Sequence, residues 1–425
     1  GGNIDENAPQ HWGSVSKPFT AECILYLVDK GYMNFGDDIL TLCPELSEYG
    51  VGPGITVDNL LQMRSGLPDV WNLSLMSGLN PESFTTEELL LLLKDHPEML
   101  HKPGTVFMYC NTNYFLLTKI VEIVAKRASK EGKPPLLRTD QSFVDFIRER
   151  VFKPHNMDAR CSLDPNCPRT VDGFDSKGDL RATFETQSMV FGAHGIVGPP
   201  KDMVEWNAAI ARGELGRLLV PPEGVVASRG EKIYCRGLNV CNMGHWRRIS
   251  HTGDADGYLA EFRRYENLDD PSKTFAFFLA TNYENKDDAG EIANGVANAL
   301  AGEVIEPEKG GEPKSGLVRE NLPHVQEEQV RGLFEGDYTC VDFGTDVHVS
   351  IKEKEDERGI WQVCINSANP GHHKPLTEPL PFSPRFDKKG DIVWQLPGVG
   401  KLEITEDGFV CKGDRIGSIR FRKKS

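Results

Sequence analysis

The stretch Gly13-Ser14-Val15-Ser16-Lys17-Pro18-Phe19-Thr20 constrains this chain more than any other. Ser14 and Lys17 are three residues apart, so on a helix they share one face, one turn apart. Pro18 has no backbone N–H and fits only near a helix start. The spacing therefore predicts a helix that begins at about Ser14, with Phe19, Ile24, Leu27 and Val28 as its apolar stripe and Gly31 as its stop. A hydroxyl at that end lies where unpaired N–H groups and the positive dipole end gather. Beside it stands an amine able to take its proton. That is the arrangement of an activated nucleophile with a donor for a developing oxyanion. Taken alone, Ser-x-x-Lys reads more readily as a surface Ser and Lys at a helix start.

The 425 residues suffice for two or three domains with a sizeable core. A net charge of −15 argues against a polyanion-binding surface, so no nucleic-acid partner is expected. No apolar run spans a bilayer, the richest being Leu89 to Leu93, so no membrane partner is expected either. The chain opens on Gly with no leader-like segment. The start therefore reads as processed, trimmed or incomplete, and targeting information can have gone with it; the compartment is left open, cytoplasm slightly ahead of secretion. The ten cysteines contain no Cys-x-x-Cys pair and no zinc spacing. Cys161 and Cys167 flank a Pro-containing loop and read either as a disulfide in an oxidising compartment or as two thiols. Asn72-Leu73-Ser74 is a sequon by pattern.

Along the chain, Thr56 is a plausible cap for a helix over 57–61, and Thr85 or Thr86 for one over 87–94. Further helices are expected over 115–127, 143–151, 202–211 and 289–300. Short strands are expected over 233–240, 247–251, 259–265 and 274–280. Helices, then a strand run, then a closing helix give an α+β class. Residues 303–330, rich in Glu, Pro, Gly and Lys, read as a linker. Beyond them, short strands over 336–338, 347–352, 360–365, 392–396, 401–404, 409–412 and 418–422 suggest a separate small β-barrel or sandwich.

Two further constellations give the first one company. Tyr109-Cys110-Asn111 follows the Pro103-Gly104 turn and precedes a helix. A phenol beside an ammonium has its pKa lowered and can share proton work, while Asn111 offers an amide to a substrate. The bland alternative is a packed Tyr and a capping Asn. His251-Thr252-Gly253 ends a strand before Asp254-Ala255-Asp256-Gly257. A glycine there lets a ligand lie along the strand edge, with backbone N–H groups beyond it able to face an oxyanion. His251 would supply a donor or a partial positive charge.

In this order, Ser14-Val15-Ser16-Lys17, Tyr109-Cys110-Asn111 and His251-Thr252-Gly253 resemble the serine β-lactamase and penicillin-binding-protein superfamily. Tyr-x-Asn in the middle and His for Lys in the third motif look like the class C branch with its esterase and D-aminopeptidase relatives. The flanks Gly13–Ala21, Thr56–Pro68, Gly192–Trp206 and Ser250–Phe262 agree, and the likeness covers about residues 10–302. The resemblance implies an antiparallel sheet flanked by helices with a helical subdomain over 1–302. After the linker, residues 331–425 look like the lipocalin-like barrel of some such hydrolases. By the same resemblance Ser14 is the nucleophile, Lys17 its base and Tyr109 the proton relay. Asn111 binds the substrate amide, and His251, Thr252, Gly253 and Asp254 line the site. The N–H groups of Ser14 and Asp254 form the oxyanion hole. No metal or organic cofactor is implied. Family members begin with two sheet strands ahead of the nucleophile. Only thirteen residues precede Ser14 here, so those strands are expected to be missing.

The implied function is a serine hydrolase that forms an acyl-enzyme on a small ester, lactone or amide. An acyltransferase on the same site and a non-catalytic binding scaffold of the same fold are the alternatives. Neither the substrate nor the oligomeric state is written in these motifs.

Overall fold

In the computed structural model the described residues are 4–76, 78–96, 99–127, 132–183, 190–225, 230–306, 327–342, 345–353, 361–367, 380–386, 392–396, 400–405, 407–413 and 415–424. They group into two compact units that cut across sequence order. The first contains residues 1–44, 53–64 and 113–315, the second residues 45–52, 65–112 and 316–425.

The first unit is built on helix α1 (Lys17–Asp29), with Pro18 in its first turn. The α-helix starts at Lys17, not Ser14. Ser14 lies in a preceding 3₁₀ turn, Gly13–Ser16. Three residues per turn stack positions i and i+3 directly, so the tighter winding sets Ser14 over Lys17 more closely than an α-helix would. Helix α2 (Asn111–Ala125) enters this unit from residue 113 onward. Thr56 caps the helix Val57–Leu61 through a capping box with Asn59.

The central sheet is an antiparallel meander of β1 (Lys232–Tyr234), β2 (Asn239–Met243), β3 (Trp246–Ala255), β4 (Tyr258–Asn267) and β5 (Thr274–Thr281), in the order β5-β4-β3-β2-β1. The expected single strand over 233–240 is two strands. Gly237 takes φ 84° and the chain reverses, Cys235 N–H bonding to Leu238 O at 2.8 Å. Helices cover both faces. On one, helix α4 (Lys286–Ala301) lays Ala297 and Ala301 against Trp246, Tyr265 and Phe275. On the other, Trp206 of helix α3 (Asp202–Ala211) packs 5.2 Å from Phe262 and 4.9 Å from Phe19 of α1. Phe262 and Tyr265 are three apart on β4, so alternation sends them to opposite faces. Behind α1, Glu22 accepts from Trp206 Nε1 at 2.9 Å and pairs with His155 Nε2 at 2.5 Å. Burial works against a proton on His155, but the bond to Glu22 and the charges of Glu22 and Glu214 together outweigh it and raise its pKa. Residues just ahead of Ser14 also pair: Gln10–His11 runs antiparallel to Ile196–Gly198, which also pairs with Arg160–Cys161. Cys161 and Cys167 are free thiols.

The second unit holds the helices Val70–Met76 and Thr86–Leu91, the latter capped by Thr85. The sequon falls inside the first of these, with Asn72 buried. Helix α5 (Glu327–Phe334) occupies the end of the stretch read as a linker, whose residues 307–326 lie outside the described residues. A closed antiparallel barrel follows: β6 (Gly336–Cys340), β7 (Thr345–Glu353), β8 (Trp361–Ser367), β9 (Leu380–Phe386), β10 (Ile392–Leu396), β11 (Gly400–Thr405), β12 (Gly408–Gly413) and β13 (Gly417–Lys423). It closes through Tyr338, Thr339 and Cys340 opposite Lys423, Arg422 and Phe421. Phe409 is its centre, 5.0 Å from Tyr338, 4.6 Å from Phe421 and 6.0 Å from Phe334 of α5. β9 has no counterpart among the expected strands because Pro381 and Pro384 break its strand pattern.

Among the described residues, no helix is long and apolar enough to cross a membrane. Trp206→Ala is expected to cost about 3–5 kcal/mol, since it opens a cavity between α1 and the sheet. Thr56→Ala, which removes only a cap, should cost roughly 1 kcal/mol. Urea midpoints of the two variants against the parent check both the order and the ratio.

Candidate active site

Lys17 is fully buried. Its Nζ donates to Ser14 Oγ at 2.9 Å and to the Ala193 carbonyl at 3.1 Å, and stands 5.9 Å from the centre of the Tyr114 ring. Ser14 itself is only half-buried, so its hydroxyl has a protein face and an open face. The loop that supplies Ala193 is tied to the same helix: Thr20 Oγ1 donates to Gly192 O at 2.9 Å, and Ser16 Oγ accepts from Ile196 N–H at 3.2 Å. Gly192 takes φ 99°, and a Cβ there would lie 2.4 Å from the Tyr114 carbonyl. Only glycine lets this loop close on α2.

The third motif reaches the same place along β3. Alternation turns His251 and Gly253 inward and leaves Thr252 and Asp254 exposed. At Gly253 the strand lies backbone to backbone against the segment that carries Ser14. A Cβ would be 1.9 Å from the Trp12 carbonyl and 3.1 Å from the Val15 nitrogen. Gly13, at φ 50°, answers it from the other side, where a Cβ would be 2.5 Å from Asp254 N. Trp12 fixes the height of this contact. Its N–H bonds to Ile196 O and its Nε1 to Gly198 O, both at 3.0 Å, and its ring packs on Phe19 and Phe278. Asp254 pairs with Lys286 at the start of α4. Asp254, Asp256, Glu284, Asn285, Lys286 and Asp287 line a cleft of about 480 Å³.

The His251 ring is buried, with Nδ1 2.6 Å from the Thr252 carbonyl and Nε2 3.2 Å from the Tyr234 hydroxyl. A carbonyl only accepts, so Nδ1 carries the hydrogen and Nε2 accepts from Tyr234. Burial, then the charge of Lys17, lowers its pKa to about 3. His194, beside Ala193, is held well below its ordinary range by burial, then by Lys17 and His251. His251 is therefore a neutral wall and supplies no positive charge, because burial beside Lys17 disfavours a second cation.

Tyr109 and Asn111 belong to the second unit. Asn111 Nδ2 donates to Asp69 Oδ2 at 3.3 Å, and both residues are buried. The turn Ser65–Pro68 grips the segment: Thr112 Oγ1 donates to Pro68 O at 2.7 Å and Cys110 Sγ to Leu67 O at 3.4 Å. Tyr109 is half-buried, under the guanidinium of Arg415. Among the described residues, no group of three or more His, Cys, Asp and Glu is placed to hold a metal ion.

The family described as Beta-lactamase matches residues 1–232, more than half of the chain. The chain belongs to the beta-lactamase family. A D-aminopeptidase of Brucella anthropi is 29% identical over 304 residues, which cover 68% of this chain and 52% of that protein. The chain spans about half the length of the curated relatives it matches. The octameric penicillin-binding protein homologue from Pyrococcus abyssi superposes with a TM-score of 0.57 at 19% identity, covering 98% of this chain and 89% of that one. The D-amino acid amidase from Ochrobactrum anthropi SV3 complexed with D-phenylalanine gives 0.52 at 21% identity, covering 70% and 94%. These likenesses establish the fold, including the antiparallel sheet flanked by helices.

Motif reading missed Trp12 and His194 in the first unit of this beta-lactamase-family chain and Asp69 in the second. Trp12 had a signal, a large aromatic directly before Gly13. His194 sits in a glycine-rich stretch and Asp69 follows a Gly-Leu-Pro turn, and neither pattern says that the side chain is buried.

The unfolded chain protonates His251 near 6.5, whereas the folded chain resists until about 3. The unfolded state thus binds more protons across that window, and stability falls as pH drops from about 6.5 towards 3. In His251→Asn the decline of the urea midpoint over this range should be shallower. Equal slopes would remove His251 from the linkage. Gly253→Ala should separate β3 from the Ser14 segment and abolish covalent labelling of Ser14 by a phosphonate, as read by intact mass.

Proposed function

We propose that the chain is a serine hydrolase that forms an acyl-enzyme at Ser14 on a small amide or ester. The observation that carries this is the fully buried Lys17 amine donating to Ser14 Oγ at 2.9 Å. At that distance the amine can take the hydroxyl proton as a general base. Lys17 Nζ takes the Ser14 proton as Oγ bonds to the substrate carbonyl carbon. The carbonyl π electrons move to oxygen, where the N–H groups of Ser14 and Asp254 would receive them. Collapse expels the leaving nitrogen or oxygen, to which Tyr109 relays a proton while Asn111 holds the substrate amide. Water then attacks the ester carbon, Lys17 takes its proton, and as the acyl carbon–Oγ bond breaks that proton passes to Ser14 Oγ and the acid departs. The roles of Tyr109 and Asn111 rest on the motif resemblance.

Amides are favoured over other substrates by the named relatives, a D-aminopeptidase and a D-amino acid amidase. The charge around the third motif supports the same class. His251 is neutral, and the cleft beyond Gly253 carries four carboxylates against one lysine. That surface repels a substrate carboxylate and tolerates an α-ammonium, as a D-amino-acid amide carries.

A serine-reactive phosphonate should add once to the parent chain and not at all to Ser14→Ala. Lys17→Met should abolish acylation while the melting temperature stays within a few degrees. Acylation at the parent rate would take Lys17 out of the mechanism, and a folded parent without adduct would favour a binding scaffold. Turnover of D-amino-acid amides, p-nitrophenyl esters and a chromogenic cephalosporin ranks the substrate classes. Products formed with and without an added amine acceptor separate hydrolysis from acyl transfer.

A further inference from the structure

The barrel hairpin between β12 and β13 makes a contact that the reaction scheme above does not use. Gly413 pairs with Gly417, and Ile416 N–H closes the turn on Gly413 O at 3.2 Å. Arg415, in this turn, has a side chain 32% exposed, whereas the β13 residues Arg420 and Arg422 are 65% and 63% exposed. Its guanidinium carbon stands 5.3 Å from the centre of the Tyr109 ring, within cation–π reach. One guanidinium nitrogen is 4.0 Å from Asp69 Oδ2, and Asp69 N–H bonds to the Arg415 carbonyl at 2.8 Å. The same Asp69 oxygen accepts from Asn111. The hairpin is seated as well as touching. Ile416 is buried, and the Cys411 sulfur meets that of Met76 at 3.7 Å.

We propose that Arg415 is a positioning residue for the middle motif: the barrel lays a cation on the Tyr109 phenol and, through Asp69, sets the Asn111 amide. This rests on the reading that Tyr109 and Asn111 serve the acyl transfer. Arginine keeps its charge at every working pH and its planar face matches an aromatic ring. A phenol that hands its proton to a leaving group is left as a phenolate, and a fixed cation stabilises that product. The charged groups this contact brings to Tyr109 are Arg415 and, behind it, Asp69. On this account the barrel belongs to the catalytic apparatus.

The test compares the full chain with Arg415→Met, Arg415→Lys, Tyr109→Phe and the double variant Tyr109→Phe/Arg415→Met. It measures kcat, KM and the pH–rate profile on the best ester or amide from the panel. Arg415→Met should lower kcat roughly two- to five-fold, as a partly exposed cation–π contact allows. The pH limb governed by the phenol should move upward in pH, and Arg415→Lys should recover part of both. In the Tyr109→Phe background Arg415→Met should cost less than it does in the parent, since only the part that acts through Asp69 and Asn111 remains. An Arg415→Met enzyme with the parent kcat and profile overturns the proposal, as do losses that multiply in the double variant. If Tyr109→Phe is impaired while Arg415→Met is not, the hairpin proposal fails and the assignment of Tyr109 stands. If Tyr109→Phe keeps the parent rate, that assignment fails and the hairpin proposal with it. Should Arg415→Met not fold, Arg415→Gln, of similar reach and no charge, takes its place under the same criteria.

Discussion

Everything in the first unit's candidate site depends on two backbones touching with no side chain between them. At Gly253 and Gly13 a Cβ would overlap Trp12 O and Asp254 N. The closeness has a chemical purpose, since an oxyanion needs donors already aimed at one point. Side chains would hold β3 and the 3₁₀ turn several ångströms apart, so both positions are glycine. Trp12 then acts as the gauge. Its ring is locked on Phe19 and Phe278, and both its N–H groups are tied to the strand Ile196–Gly198.

The second requirement is electrostatic. Lys17 Nζ bonds to the neutral Ser14 Oγ and Ala193 O, and burial, then the charge of Lys17, holds the imidazoles of His194 and His251 uncharged. Lys17 thus acts electrostatically on two buried imidazoles that stay neutral. The His251 tautomer follows from its neighbours: a carbonyl on Nδ1 and a phenol on Nε2 leave the ring one neutral arrangement.

What the sequence revealed was whatever is local. Ser14 over Lys17 is a matter of spacing, and the caps at Thr56 and Thr85 are short-range patterns. Alternation was enough for β4 and for most barrel strands. What it withheld is of two kinds. Exact winding near Ser14 depends on packing against β3, so the α-helix starts three residues later than spacing predicts. Burial of single polar residues depends on long-range partners. Nothing near Asp69 in sequence foretells that its amide meets the carbonyl of residue 415. β9 was hidden because two prolines mimic a loop, although its pairing with β8 leaves Pro381 in register with Cys364.

The grouping of residues in space carries a further step. Residues 65–112 lie between two stretches of the first unit in sequence, yet they cluster with the barrel, more than two hundred residues away. A segment so placed owes its shape to what it packs on. Thr112, Cys110 and Asn111 are held by the turn at 65–69, and that turn is held by the hairpin at 413–417. The chain of contacts therefore runs from the barrel wall to the middle motif without passing through solvent-exposed loops. A mutation that loosens β12 against Met76 would reach Asn111 through the Asp69 N–H bond to Arg415 O and the Asp69 carboxylate. The barrel thus constrains the middle motif in the same way that Trp12 constrains the first.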